Sequence, residues 1–214
     1  GTRCSKIPEA IQAILIVLAL SMILPESRRK AVDGQGICLG ATNGRYGPFI
    51  SPKNTDLDII TRFINVILLM SVPKTFEWTS IQLNYNSVST PHCDARNDGV
   101  SAIMLLGEFS GGEFETTDTS VRVATKGAIH FFDGTREHYS KPFQGERISI
   151  TAFHHSGGKD LTLHEKDRIS SLGFRSHILA GSEFTPKTTV MHKPTTIEAY
   201  GNALVNLGSG RKAT

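Results

Sequence analysis

The chain has 214 residues, of which 39% are hydrophobic and 20% charged, with a formal charge of +3. That length suits one domain with a core of useful size, and the ordinary composition excludes collagen-like, disulfide-dense and wholly disordered chains. A charge of +3 does not by itself argue for a nucleic-acid partner, because phosphate-binding domains carry a denser basic stripe.

In chain order, the first element is the apolar run Ile11 to Leu24, fourteen residues between Pro8 and Pro25. It is short for a membrane span, which needs about 20 residues, so a buried helix and no membrane contact are expected. A signal-peptide core is the rival reading, since Arg3 and Lys6 precede the run, although no small-x-small cleavage site follows it. The chain opens on Gly1 rather than Met, as an excised domain would. The cluster Arg28, Arg29, Lys30 reads as a solvated face. Asp33 to Asn54, rich in Gly, Pro, Asn and Ser, favours turns and short strands. From Asp56 to Ser71, Leu57, Ile60, Phe63, Ile64, Ile67 and Leu68 recur at helical steps.

From Phe76 the texture changes to short β-prone runs, Trp78 to Leu83, Ser101 to Leu106, Ala128 to Phe132 and Arg147 to Phe153, which imply a barrel or sandwich. Gly111-Gly112 and Asp133-Gly134 are expected to supply positive-φ positions for tight reversals. Leu161 to Leu172 predicts a small closing helix capped by Gly173. The expected layout is helical support and first strands over 1–75, a β core over 76–155 and a closing helix over 156–178. A loosely ordered tail then follows over 179–214, where Arg211 and Lys212 form a second basic cluster. Three widely spaced cysteines, Cys4, Cys38 and Cys93, fit reduced thiols in an intracellular protein, nuclear or cytoplasmic.

His92 and Asp94 stand two apart in Pro91-His92-Cys93-Asp94, so on an extended strand both side chains leave one face. Two His and one carboxylate bind Fe(II) through one side and leave the other positions open. His138, after the Asp133-Gly134 turn, is the candidate third ligand. Arg147 follows nine residues later and can grip a carboxylate with two charge-assisted hydrogen bonds, as a bound 2-oxoglutarate requires. Ser149 shares its strand face and can donate to the same carboxylate. Each signal alone is weak; their order and spacing suit one jelly-roll barrel around one metal. Zinc accepts the same ligands, yet zinc hydrolysis gives no reason for Arg147 and Ser149. His130 reads as a hydrogen-bonded core or lining residue, and His154 and His155 point to opposite faces of a strand end, so neither is assigned to the metal.

Three stretches then carry a resemblance: Thr79-Ser80-Ile81-Gln82-Leu83-Asn84, Pro91-His92-Cys93-Asp94-Ala95-Arg96-Asn97, and Gly107-Glu108-Phe109-Ser110-Gly111-Gly112-Glu113. With Phe132-Asp133-Gly134, His138, Pro142-Phe143, Gly145, Arg147 and Leu172-Gly173-Phe174, they resemble the TET/JBP-like family of Fe(II)/2-oxoglutarate dioxygenases, in its compact microbial-eukaryote or phage form, from about Leu39 to Phe174. The resemblance implies a mainly β chain with flanking helices (α+β), built on a double-stranded β-helix (jelly-roll, cupin-like) core. It implies His92, Asp94 and His138 as iron ligands and Arg147 as the 2-oxoglutarate anchor, with Asn84 helping to hold the co-substrate and Asn97 ordering the substrate loop.

The cofactors implied are Fe(II), 2-oxoglutarate and O2, with ascorbate as reductant, and the reaction implied is hydroxylation of the methyl group of a 5-methylpyrimidine, 5-methylcytosine or thymine, in nucleic acid. On that reading Arg45, Arg96 and Lys126 are phosphate contacts, and Tyr85 or Phe131 stacks on a base. The alternatives are a 2-oxoglutarate dioxygenase acting on a protein side chain or small molecule, and a jelly-roll that binds without turnover.

Overall fold

The structure, a computed structural model, describes residues 6–44, 47–50 and 57–179. Helix α1 (Glu9–Leu20) begins directly after Pro8, whose ring sets a φ of −54°. It buries only Leu15 and Ala19, and it stops short of the end of the apolar run, where the Ser21 hydroxyl donates to the Leu18 carbonyl. No helix among the described residues is long and apolar enough to cross a membrane. Helix α2 (Asp58–Ser71) buries Ile60, Ile64, Ile67 and Leu68, the single stripe that the 3.6-residue period predicts. Helix α3 (Leu163–Ser171) opens with a capping box between Thr162 and Glu165 and closes at Gly173, whose φ of +89° is the left-handed C-terminal turn expected there.

These helices are tied to the β structure by one buried amide. Asn65 on α2 donates through Nδ2 to the Leu172 carbonyl at 2.8 Å, and its Oδ1 accepts from the fully buried Trp78 indole at 2.7 Å. Arg168 on α3 donates to both oxygens of Asp58 at 2.8 and 3.0 Å, which fixes the second helix-helix contact.

The strands are β1 (Val32–Gly44), β2 (Gly47–Ile50), β3 (Ser80–His92), β4 (Asn97–Leu106), β5 (Phe109–Gly111), β6 (Phe114–Thr116), β7 (Arg122–Val123), β8 (Ile129–Asp133), β9 (His138–Ser140), β10 (Phe143–Gly145) and β11 (Ile148–His155). All their ladders are antiparallel, and the main sheet runs β7-β6-β9-β3-β11-β4-β8. β1 lies along one edge of β3, from Val32 opposite Ser89 to Gly40 opposite Ser80. The other edge is shared in tandem, with β11 against Ser80–Tyr85 and β9 against Ser89 and His92. The result is a nearly closed, barrel-like jelly-roll. Its larger core gathers Trp78, Ile81, Leu83, Ile148 and Ile150 under the helices, and a smaller one holds Ile103, Leu105, Phe114, Val123 and Phe132.

Three expectations need correction. The glycine-rich stretch from Asp33 is mostly one thirteen-residue strand rather than turns and short strands. Its glycines serve close approach: a Cβ on Gly36 would lie 2.5 Å from Asn84 Oδ1, and one on Gly40 would lie 2.3 Å from the Thr79 carbonyl. Gly134 does not take a positive φ, unlike Gly111 and Gly112 at +74° and +70°. Its lack of a side chain instead admits Asn97, whose Nδ2 would meet a Cβ at 2.5 Å. His130 is not a hydrogen-bonded core histidine, since its Nε2 is buried with no partner. The expected tail, 179–214, lies outside the described residues except for Leu179.

Candidate metal centre and co-substrate cavity

A cavity of about 800 Å³ opens in the barrel between β1, β3, β9 and β11. On β11 the pleat sends Ser149, Thr151, Phe153 and His155 into it, while Ile148, Ile150 and Ala152 go to the core. β3 begins the same way, with Gln82 and Asn84 lining the cavity and Leu83 buried. Asn86 then adopts a left-handed φ of +47°, and beyond it the alternation is broken: Ser87, Val88 and Ser89 all line the cavity. A further irregularity between Ser89 and His92 turns His92 inward as well. The sequence places both polar runs of β3 on one wall only because of these two interruptions.

His92 ends β3, and Asp94 lies beyond the strand end. The two side chains therefore converge through a turn, not through the pleat of one strand. That turn is held by the Asp94 N–H donating to the Gly134 carbonyl at 2.9 Å and the Asn97 N–H to the Asp94 carbonyl at 3.0 Å. His138 opens β9 directly opposite His92. One nitrogen or oxygen from each of His92, Asp94 and His138 lies within 4.8 Å of the others.

Both imidazoles are oriented alike. Nδ1 of His92 lies 2.8 Å from the Thr90 carbonyl, and Nδ1 of His138 lies 2.8 Å from the Arg136 carbonyl, each two residues back. A carbonyl can only accept, so each ring carries a proton on Nδ1 and turns its Nε2 toward Asp94, 3.9 Å away for His92 and 3.6 Å for His138. Burial raises the Asp94 carboxyl pKa, but the hydrogen bond and charge of His138, with His92 and Arg29, outweigh it and keep the group below the usual carboxylate range. With Nε2 free of a proton, two imidazoles and one carboxylate suit a divalent ion such as Fe(II).

Arg147 is 3% exposed. Its Nε donates to the Gly112 carbonyl at 3.0 Å and its Nη1 to the Ser87 carbonyl at 3.2 Å, and Phe109 and Phe143 stand 5.8 and 5.7 Å from the guanidinium. Among the described residues no carboxylate pairs with it, and burial pushes its pKa down to about 10. A buried cation without an anion is costly unless a ligand supplies the charge. Ser149 Oγ accepts from Asn84 Nδ2 at 3.1 Å, which leaves the serine hydroxyl proton available as a donor on the same wall.

Among the other residues named from sequence, Asn97 is buried at the start of β4, and its Nδ2 reaches Asp94 Oδ2 at 3.4 Å and Ser101 Oγ at 3.1 Å. Arg96 is exposed at the cavity rim. Tyr85 is not brought to the cavity: it faces away from Asn84, and its hydroxyl donates to Glu146 at 2.9 Å. Phe131 packs on Phe76 and lines a separate cavity of about 530 Å³, and Lys126 sits over the Phe109 ring near Glu108. Arg45 lies outside the described residues.

Sequence reasoning missed a polar pair on the cavity wall. His155 Nδ1 accepts from the Gly157 N–H at 3.0 Å, so its Nε2 carries the proton and donates to Asn43 Oδ1 at 3.0 Å. The strict alternation Ser149, Thr151, Phe153, His155 along one strand was the available signal. His154 points the other way, toward Ser176.

No family model and no curated protein matches the chain. Among solved structures it is similar to NgTET1 in complex with 5mC DNA, with a TM-score of 0.51 and 19% identity, covering 71% of this chain and 69% of that one. A 2OG-Fe(II) oxygenase family oxidoreductase from Burkholderia pseudomallei gives a TM-score of 0.43 at 19% identity, over 68% of this chain and 77% of that one. The viral collagen prolyl hydroxylase of Paramecium Bursaria Chlorella virus-1, in its 2OG complex, gives 0.43 at 12% identity, over 71% and 93%. The likeness to NgTET1 shows a shared fold with a jelly-roll core.

Proposed function

We propose that residues 1–178 form an Fe(II)- and 2-oxoglutarate-dependent dioxygenase domain that hydroxylates a substrate C–H, the methyl group of a 5-methylpyrimidine in nucleic acid. The observation that carries the enzyme class is a single cavity holding both a His92-Asp94-His138 cluster and a buried, uncompensated Arg147. Iron, 2-oxoglutarate and O2 together supply the oxidant, with release of succinate and CO2 and with ascorbate as reductant. The chain's own tasks are to bind and exclude. His92, Asp94 and His138 hold the ion from the protein side. Arg147 and Ser149 take the distal carboxylate of the co-substrate, and the Asn84 amide orients Ser149. Phe109 and Phe143 flank Arg147 and keep water from the ion pair that it forms with the co-substrate.

The substrate class rests on the cavity's other polar groups and on the kind of complex seen for the similar fold, NgTET1 with 5mC DNA. His155 holds the Asn43 carbonyl oxygen, which leaves the Asn43 amide NH2 as a positioned donor at the cavity wall, suited to the hydrogen-bonding edge of a flipped base. Arg96 at the rim then meets the phosphate backbone, and Asn97 holds the loop between the Asp94 turn and β4. The test is incubation with Fe(II), 2-oxoglutarate, ascorbate and methylated DNA, followed by mass spectrometry of the bases. Hydroxymethylated base with stoichiometric succinate is the expected result; succinate formed only with a peptide or metabolite would overturn the nucleic-acid substrate.

A further inference from the structure

The Arg28-Arg29-Lys30 cluster reads from sequence as a solvated face and all three residues are exposed, yet Arg28 and Arg29 line the mouth of the cavity, and of the two Arg29 is the one held there by a side-chain hydrogen bond. Its Nη2 donates to Asn84 Oδ1 at 3.2 Å, and it lines the same space as Asp94, Ser149 and Arg147. Its backbone is fixed there. The Gly36 N–H donates to the Pro25 carbonyl at 2.9 Å, the Ser27 N–H to the Gly34 carbonyl at 2.8 Å and the Val32 N–H to the Arg29 carbonyl at 3.1 Å. Glu26, the nearby acid on this segment, is engaged by Gln35 Nε2 at 3.0 Å, and Arg29 makes no contact ion pair with any described carboxylate, its charge reaching Asp94 only at longer range.

A hydrogen-bonded chain therefore runs from Arg29 through Asn84 to Ser149, two residues from Arg147. The Asn84 carbonyl oxygen already accepts from Gln82 Nε2 at 2.9 Å, so the Arg29 contact is a second donor on a neutral acceptor. A guanidinium gains more from a carboxylate than from an amide oxygen. The cavity thus presents two unpaired guanidiniums, one buried beside Ser149 and one reaching in from the rim. That arrangement matches a ligand with two carboxylates.

We propose that Arg29 is a second co-substrate-binding cation, gripping the carboxylate of 2-oxoglutarate next to the metal while Arg147 holds the distal one. The inference rests on the proposed co-substrate. It assigns to the segment before β1 a binding role that the composition of the segment conceals.

The test is calorimetric titration of 2-oxoglutarate into the full chain loaded with Mn(II), without turnover. Arg29→Gln should weaken binding about tenfold, the value of one charge-assisted hydrogen bond, and Arg29→Lys should recover part of it. Lys30→Gln, in the same cluster but not lining the cavity, is the control for general electrostatics and should stay within about twofold. Combined with Arg147→Gln, the Arg29→Gln loss should add, because the two cations hold different ends of the ligand. With 2-oxobutyrate, which lacks the distal carboxylate, Arg29→Gln should still weaken binding and Arg147→Gln should not. Unchanged 2-oxoglutarate affinity in Arg29→Gln, or an equal loss in Lys30→Gln, overturns the proposal while a loss in Arg147→Gln leaves the proposed function standing. A wild-type chain that binds no 2-oxoglutarate overturns both.

Discussion

Asn86 exchanges two hydrogen bonds with the backbone of Arg147: its N–H donates to the Arg147 carbonyl at 2.8 Å, and its Oδ1 accepts from the Arg147 N–H at 2.8 Å. The residue at which the alternation of β3 is broken thus also fixes the base of the candidate co-substrate anchor. Asn tolerates the left-handed φ of +47° better than other side chains do. Asn86→Ala loses both the conformation and the side-chain bond, whereas Asn86→Gly keeps the conformation alone. Both variants should weaken 2-oxoglutarate binding about fivefold, as loss of about 1 kcal/mol predicts. The alanine variant should lose about 1 kcal/mol more in folding stability than the glycine variant. Calorimetry and urea unfolding together read the two effects separately.

The metal assignment has a sharper test. His92→Ala combined with Asp94→Ala removes two of the three converging donors and should abolish both stoichiometric iron binding and 2-oxoglutarate decarboxylation. His138→Ala should act similarly, and, because the ring packs against Phe114 and Phe132 at 5.3 and 5.2 Å, it should also cost folding stability. The expected penalty is about 1–2 kcal/mol, the order of a partial cavity. Metal content by elemental analysis and succinate release are the measurements; turnover that survives the double substitution would refute the ligand set.

Gly36 links β1 to the same wall. Its φ is not in the left-handed region, so alanine fits the backbone, but the added Cβ would lie 2.5 Å from Asn84 Oδ1 and 2.9 Å from Gln82 Nε2. The clash falls on side-chain amides that orient Ser149. Gly36→Ala should therefore lower 2-oxoglutarate affinity several-fold and destabilise the fold by about 1–3 kcal/mol, the range for overpacking. A drop in stability with unchanged affinity would separate Asn84 from the co-substrate site.

Much of the site was legible because metal chemistry limits the donors and their spacing. His92, Asp94 and His138 were named from residue type and order, and they converge; Arg147 and Ser149 were paired by a two-residue step, and they share a wall. Tyr85 was misplaced although its neighbour Asn84 was not, since adjacent strand residues face opposite sides and only one of them reaches the cavity. The break in alternation at Asn86 and the pairing of His155 with Asn43, which are 112 residues apart, were not legible. The first depends on one backbone dihedral angle, and the second on tertiary contact. The long strand β1 was hidden by glycines that depress strand propensity and are present because neighbouring chains approach closely.

His155 sets the pH response of the fold on its acidic side. Its ring is satisfied only when neutral, since Nδ1 accepts from the Gly157 N–H and Nε2 donates to Asn43. A second ring proton would confront the Gly157 N–H. Burial, with the charges of Arg96 and His154, lowers its pKa beneath the ordinary 6.5. Above 6.5 both folded and unfolded chains hold it neutral, and its contribution is fully present. As pH falls below that value the unfolded chain binds the proton first, so stability declines until the folded pKa is passed. His154 and His130, also depressed by burial, act in the same direction. Urea midpoints measured from about pH 7.5 to about pH 5 should fall in the wild type, and His155→Gln should flatten part of that fall and leave the remainder to which His154 and His130 contribute. An unchanged slope in His155→Gln would mean that the proton is taken up elsewhere, and that the Asn43 contact does not fix the neutral ring.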